Sequence, residues 1–400
     1  MMMTSADSVV AETHARLAPA RARLLARDDE IVRLQSELSC IPAPTGEEEA
    51  RARRVASLLE RAGLRGVGID AAGNALGVRP GTEDRGPIVV CAHLDTVFSR
   101  DTPLRVRRTG QRLQAPGIGD NGRGLAVMLA LAAELDGERV RTRRPIIFAA
   151  TTGEEGDGDL RGAKALFAGA AAGARAAVVI DGPGDDRVVH TALGVRRFRV
   201  TFTGPGGHSW SGHGAPNPVH AAAATAARLA AISLPATPRA TLSVTRIGGG
   251  LAVNAIPTEG WLEVDVRSTS PGELDRLADA IAAAVRRAAA EEDARRDPRH
   301  PPLASRIACT GDRPGGALPR THGLVRHAFE ATRLIGRAPQ GAIASTDANV
   351  PMAAGIPAVA IGGGGTGGAV HTTDEWYDNT DGHLGVARAM TLVVVEAGME

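Results

Sequence analysis

The residues of this chain that could bind metals or move protons recur at one kind of place, directly after a short apolar run. The run at 87–92 is followed by His93-Leu94-Asp95, and the run at 145–150 by Thr151-Thr152-Gly153-Glu154-Glu155. The run at 176–180 is followed by Asp181, and the run at 357–361 by a glycine-rich stretch that ends at His371. Between the first two lies Gly117-Ile118-Gly119-Asp120-Asn121-Gly122. Imidazole nitrogen and carboxylate oxygen are zinc ligands. A pair of ions about 3.5–4 Å apart needs a bridging group, and a carboxylate has two oxygens to share. Asp120 is the best candidate for that bridge. Asp95 stands two residues after His93, so on an extended chain the two side chains share a face. From there Asp95 can hold the imidazole from behind. Glu154 and Glu155 are adjacent and point different ways, so one can ligate while the other faces a water; the residues alone do not order them.

The elements that must position these groups follow from the pattern. Unbroken apolar runs, rather than alternating ones, are strands buried on both faces of a largely parallel sheet. Helical stretches such as 125–135 separate them. Open α/β sheets bind ligands at the carboxyl ends of their strands, so five potential ligands converge on one edge. Residues 1–40 are helical in character. Thr45-Gly46-Glu47-Glu48 has the spacing of a capping box, with Thr45 as N-cap, and the helix after it runs to Gly63, a residue suited to the left-handed position past a helix end.

The middle of the chain behaves differently. Residues 195–203 alternate, as do 261–267 in part. Asn217-Pro218 starts an Ala-rich helix, Ser270-Pro271-Gly272-Glu273 starts another, and a strand near 303–309 closes the segment. The order β-α-β-β-α-β predicts a ferredoxin-like α+β domain at 194–312. It is inserted into an α/β domain made of 1–193 and 313–400.

Composition narrows the function. The chain has 400 residues, enough for two domains. Its 46 basic residues balance 45 acidic ones, whereas a phosphate-backbone binder needs a basic excess. One Tyr, six Phe and three Trp make a base-stacking platform improbable, so no nucleic-acid partner is expected. Cys40, Cys91 and Cys309 form no C-x-x-C pair, which points to a reducing compartment. No run of about 18 or more apolar residues predicts a membrane span, and the N-terminus lacks the apolar stretch of a signal peptide. The expectation is a cytoplasmic enzyme.

The motifs together resemble the M20 family of metallopeptidases and amidohydrolases, which includes aminopeptidase-like, carboxypeptidase G2-like and acetylornithine-deacetylase-like enzymes. The matching stretches are CAHLDTV (91–97), GIGDNGRG (117–124), TTGEEGDGDLRGAKAL (151–166), VVIDGPG (178–184) and HTTDEWYD (371–378). GPGGHSWSGHGAPNP (204–218), NAIPTEG (254–260) and VDVRS (264–268) match in the inserted segment. The resemblance implies a zinc-peptidase type of catalytic domain with a lid/dimerisation domain inserted. It implies one metal on His93, Asp120 and Asp181, and a second on Asp120, Glu155 and His371. Zn2+ is the first choice, with Co2+ or Mn2+ as alternatives. It implies Glu154 as general base and a cis peptide bond after Asp120; Asp95, placed by its spacing to hold the His93 imidazole, joins the catalytic set. His208, Asn254 and Arg267 take substrate roles by the same resemblance, and a homodimer forms through the lid. STDANVP (345–351) and GGGGTGG (362–368) most resemble the aminopeptidase-like branch.

Taken singly, several of these residues have plainer readings. Asp120 alone is a turn residue, Asp181 alone a cap, and His371 alone a surface histidine; the set of five raises each member. His213 competes with His208 for its role. The GGGGTGG stretch lacks the ending of a phosphate-binding loop, so a flexible loop near the substrate is expected. The function expected is two-metal hydrolysis of an amide bond in a short peptide bearing a carboxylate. The alternatives are a deacylase of N-acyl amino acids and, from another class, a non-catalytic metal-binding scaffold.

Overall fold

The computed structural model describes residues 5–135 and 140–400. The chain divides into two compact units, one made of Met1–Ala192 with Ala317–Glu400 and the other of Leu193–Gly316.

The larger unit is built on one mixed sheet. Its spatial order runs Arg65–Ile69, Ala75–Arg79, Ile146–Thr151, Ile88–His93, Ala176–Ile180, Ala358–Ile361 and Arg187–Ala192. Gln340–Ala344 also pairs with Arg187–Ala192, in parallel. The four apolar runs are its centre and are mutually parallel. Their lack of alternation has a direct cause. Ile88, Val90 and Ala92 pack into one core with Leu125, Met128 and Val393 from the helices Gly122–Glu134 and Gly382–Ala397. Val89 and Cys91 point to the other face, into a second core with Leu166 and Phe167 of the helix Arg161–Ala168. Both faces are covered, so every position is apolar.

Two local expectations are corrected. The helix after Thr45 begins later, at Glu49, and Glu48 makes no capping bond. The Thr45 hydroxyl instead donates to Asp95 at 2.8 Å, and the Glu48 carboxylate accepts the Gly153 N–H and the Arg161 guanidinium. Tertiary acceptors and donors outbid the local cap. The 362–368 stretch is pinned in place. Gly363 and Gly364 donate to the carbonyls of Gly182 and Gly184 at 2.8 and 2.9 Å. The buried guanidinium of Arg123 holds the Gly363 carbonyl, and that of Arg388 the Gly362 carbonyl. Glycine is required there for close approach: a Cβ on Gly364 would stand 2.3 Å from the Gly382 carbonyl, and its φ is +89°.

The smaller unit has a four-stranded antiparallel sheet in the order Ala240–Gly249, Glu259–Ser268, Gly194–Thr203, Ala304–Arg313. Val200, Phe202, Leu262 and Val264 face the helices Pro218–Ala230 and Pro271–Asp293, where Ala222, Leu277 and Ile281 complete the core. Asn217 caps the first helix through Val219 at 2.9 Å, and Ser270 the second through Glu273. On the other face Arg199 pairs with Glu263 at 2.7 Å and stacks over Trp261. Among the described residues, no helix is long and apolar enough to cross a membrane.

Candidate metal centre

The parallel strands end together. His93 is the last residue of its strand and lies in register with Thr151, from which the chain turns to Glu154 and Glu155. Asp181 follows Ile180, and its N–H donates to Ile361 of the neighbouring strand at 2.9 Å. The Asp120 loop is tied to the same edge by Asn121. That side chain donates to the Ile180 carbonyl at 2.9 Å, accepts the Gly182 N–H, and caps the next helix through Gly124. The peptide bond between Asp120 and Asn121 is cis.

These constraints gather the side chains closely. One ligand atom each from His93, Asp120 and Asp181 lies within 4.8 Å of the others, and so does one each from Asp120, Glu155 and His371. Asp120 belongs to both sets. Its Oδ1 is 2.9 Å from His93 Nε2 and its Oδ2 3.3 Å from His371 Nε2. His371 Nε2 is also 2.8 Å from Glu155 Oε1. Glu154 comes within the same span of His93 and Glu155, but the His371 contact goes to Glu155, which separates the two glutamates.

The electrostatics fit a site for cations. Burial works to lower the His93 pKa, yet the carboxylates of Asp120, Asp181 and Asp95 overturn that and hold it well above the usual histidine range. His371 is pushed up to about 9, chiefly by its hydrogen bond to Asp120 and against the effect of burial. Asp120 is held below the ordinary carboxylate range, because the hydrogen bonds from His371 and His93 outweigh burial. Glu155 is raised, by burial and then by the charge of Asp120. Three carboxylates and two Nε2 atoms in so small a space need shared positive charge, and two divalent ions meet that need with ligands of the right kind.

Asp95 stands behind this set and is fully buried. The nearer partner of His93 Nδ1 is the Asp95 backbone carbonyl at 3.1 Å, with the carboxylate at 3.6 Å. The carboxylate itself accepts the N–H groups of Glu154 and Glu155. Burial opposes ionisation, but His93 and those two N–H groups bring the Asp95 pKa to about 2. The orientation keeps Nε2 of His93 turned toward Asp120, as a ligating imidazole requires.

A cleft of about 600 Å³ opens beside these groups, lined by Asp120, Asp181, Arg187, Ser345, Thr366 and Val370. The remaining candidates lie in the smaller unit. His208 and Asn254 are neighbours, because the short strands Gly207–His208 and Ala255–Ile256 pair and Ser209 donates to the Asn254 carbonyl at 2.9 Å. His208 Nδ1 accepts the Trp210 N–H, and His208 is exposed. Arg267 sits on the strand Glu259–Ser268, where Asp265 holds its Nε at 2.8 Å. Sequence reasoning missed Thr45, Asn121 and Glu375, whose bonds run between segments far apart in the chain. The one legible signal was that Asn121 and Glu375 lie within the quoted stretches 117–124 and 371–378; Thr45 carried only its capping-box spacing.

The model of "Peptidase family M20/M25/M40" matches residues 89–395. A curated relative from Pyrococcus abyssi, named as a candidate LysW-lysine/LysW-ornithine hydrolase, is 34% identical over 139 residues. That match spans 34% of this chain and only 36% of the relative's length. The aminopeptidase PepT of Bacillus cereus superimposes with a TM-score of 0.73 at 21% identity, over 92% of this chain and 98% of that one. YxeP of Bacillus subtilis, described as a dinuclear metal binding peptidase from the M20 family, gives 0.68 at 17% identity over 92% and 98%. At these identities the two structures speak for a shared fold.

Proposed function

The chain belongs to peptidase family M20/M25/M40 and is a hydrolase, and from that premise we propose that it uses two divalent cations to cleave an amide bond in a short peptide bearing a free carboxylate. One observation carries the reading. The two oxygens of Asp120 face two different imidazoles, His93 and His371, which is the arrangement a bridging ligand needs. His93, Asp120 and Asp181 would hold one ion, and Asp120, Glu155 and His371 the other. The set suits Zn2+, with Co2+ or Mn2+ able to use the same ligands. The dinuclear description of the Bacillus subtilis relative supports it.

Bound there, the ions would polarise the scissile carbonyl and bring the pKa of a water toward about 7. The chain's own residues do the rest. Glu154, buried beside the ligands, takes the water's proton and returns it to the leaving amine. Asp95 fixes the backbone that presents Glu154 and Glu155. His208 donates to the developing oxyanion. Arg267, held in orientation by Asp265, offers a fork to the substrate carboxylate, with Asn254 assisting. The inserted unit then acts as a lid and as the surface of a homodimer.

An N-acyl amino acid presents the same amide beside a carboxylate, so a deacylase is the competing assignment. The test is metal analysis of the purified protein, EDTA-sensitive turnover, and a panel of di- and tripeptides against N-acetyl and N-succinyl amino acids. Fewer than two bound ions per chain, or turnover untouched by EDTA, sinks the two-cation reading. Turnover of the acyl compounds alone reassigns the substrate.

A further inference from the structure

The loop that carries Asp120 and the segment that carries His371 are tied together through one buried side chain, that of Glu375. Its side chain is 1% exposed. Oε1 accepts the backbone N–H groups of Gly119 and Asp120 at 2.8 and 2.9 Å, and Oε2 accepts that of Gly117 at 2.9 Å. Its backbone closes the same junction: the Glu375 carbonyl accepts from Ala115 at 3.0 Å, and its N–H donates to Thr372, the residue after His371, at 3.1 Å. Three N–H groups of one loop thus converge on one carboxylate. A carboxylate can accept from several backbone N–H groups at once, and such charge-assisted bonds are the strong ones.

We propose that Glu375 is a positioning residue that aims the Asp120 carboxylate and locks it to the His371 segment, so that both cation sites are set by one side chain. The inference rests on the two-cation reading above. The geometry favours this role over that of a general loop staple. One of the three N–H groups belongs to Asp120 itself, and the other end of the junction lies four residues past His371. Asp120 is already fixed on its far side, where Asn121 bonds to Ile180 and Gly182. Glu375 supplies the near side. Two anchors flanking the residue leave its side chain little freedom, and a ligand shared by two ions must satisfy both geometries at once.

The isosteric Glu375→Gln keeps the shape but replaces one acceptor oxygen by an NH2, which must face an N–H. Gly119→Ala perturbs the junction from the loop side, since its new Cβ would stand 3.2 Å from Glu375 Oε1. Full-length wild type and both variants are stripped with chelator and titrated with Co2+ against a competing chelator. The visible d–d spectrum, circular dichroism and apo Tm are recorded with each. Wild type is expected to take two Co2+ ions. Glu375→Gln should fold and weaken Co2+ binding by about 10–100-fold, the range typical when a partner of a metal ligand is lost. Its d–d spectrum should change, and Gly119→Ala should move the same way. Wild-type affinity and spectrum in both variants overturn the proposal even if Tm falls, because that is the signature of a staple. If Glu375→Gln fails to fold, Gly119→Ala decides alone, and unchanged Co2+ binding in it is fatal. A wild type that binds fewer than two ions defeats the two-cation reading itself, and this inference with it.

Discussion

Asp95 Oδ2 accepts the backbone N–H of Glu155 at 2.9 Å, and its Oδ1 accepts that of Glu154 at the same distance. One buried carboxylate therefore fixes the chain that presents both the proposed base and a proposed ligand, while His93 packs against it. Asp95→Asn should disturb all three, because an amide NH2 must then oppose an N–H. The expected outcome is metal affinity lower by about 10–100-fold and stability lower by about 1–3 kcal/mol. Chelator competition and denaturant titration measure the two. Unchanged affinity would reduce Asp95 to a bystander.

Glu154→Ala should retain both metals and lose turnover, by at least the roughly 10²–10⁴-fold typical of general acid–base catalysis. The motivation is that His371 contacts Glu155 and leaves Glu154 outside the Asp120–His371 set. Elemental analysis beside kcat decides it. Loss of an ion in this variant would mean that the two glutamates have exchanged roles.

Asp120→Ala should lose more metal than His371→Ala. Asp120 faces both imidazoles, whereas His371 enters one ligand set. Matching metal contents in the two purified variants would remove Asp120 as the bridge.

How much of this was legible in the sequence depends on the range of the interaction. The four central strands could be read because burial on both faces leaves an unbroken apolar run, as at Ile88–His93. Chemistry placed just beyond each run then marked the site edge. The capping-box reading of Thr45 failed because its hydroxyl had a better partner in Asp95, 50 residues away. The glycine loop was misread as flexible for a related reason. Glycine permits freedom, but it also permits contact too close for any Cβ, and only the packing of Gly364 against Gly382 distinguishes the two. Glu375 escaped notice because its three donors lie more than 250 residues earlier in the chain.

Stability should carry one separable pH signature, from His14. Its Nδ1 meets the Thr391 hydroxyl at 2.9 Å, and Arg21 contacts its Nε2. Burial, then the charge of Arg21, lowers its pKa from 6.5 to about 4. The unfolded chain therefore binds this proton at a higher pH than the folded one. Stability from this source is present above pH 6.5 and is lost as pH falls from there toward about 4. Denaturant titrations of wild type and His14→Gln across that window test it. Wild type should fall more steeply, and parallel curves would refute the assignment.

Arg267→Ala should weaken substrates with a free carboxylate more than their amides, by about 2 kcal/mol where the anchor is desolvated. The structure adds a second handle, because Asp265 holds the Arg267 Nε at 2.8 Å. Asp265→Asn should shift the same preference by less, since the guanidinium remains and only its orientation loosens. Comparing kcat/KM for one peptide acid and its amide across wild type and both variants measures it. If the acid-to-amide ratio is the same in all three proteins, Arg267 does not read the carboxylate, and the substrate anchor must be sought among the cleft residues near Asp120, where Arg187 is the cation at hand.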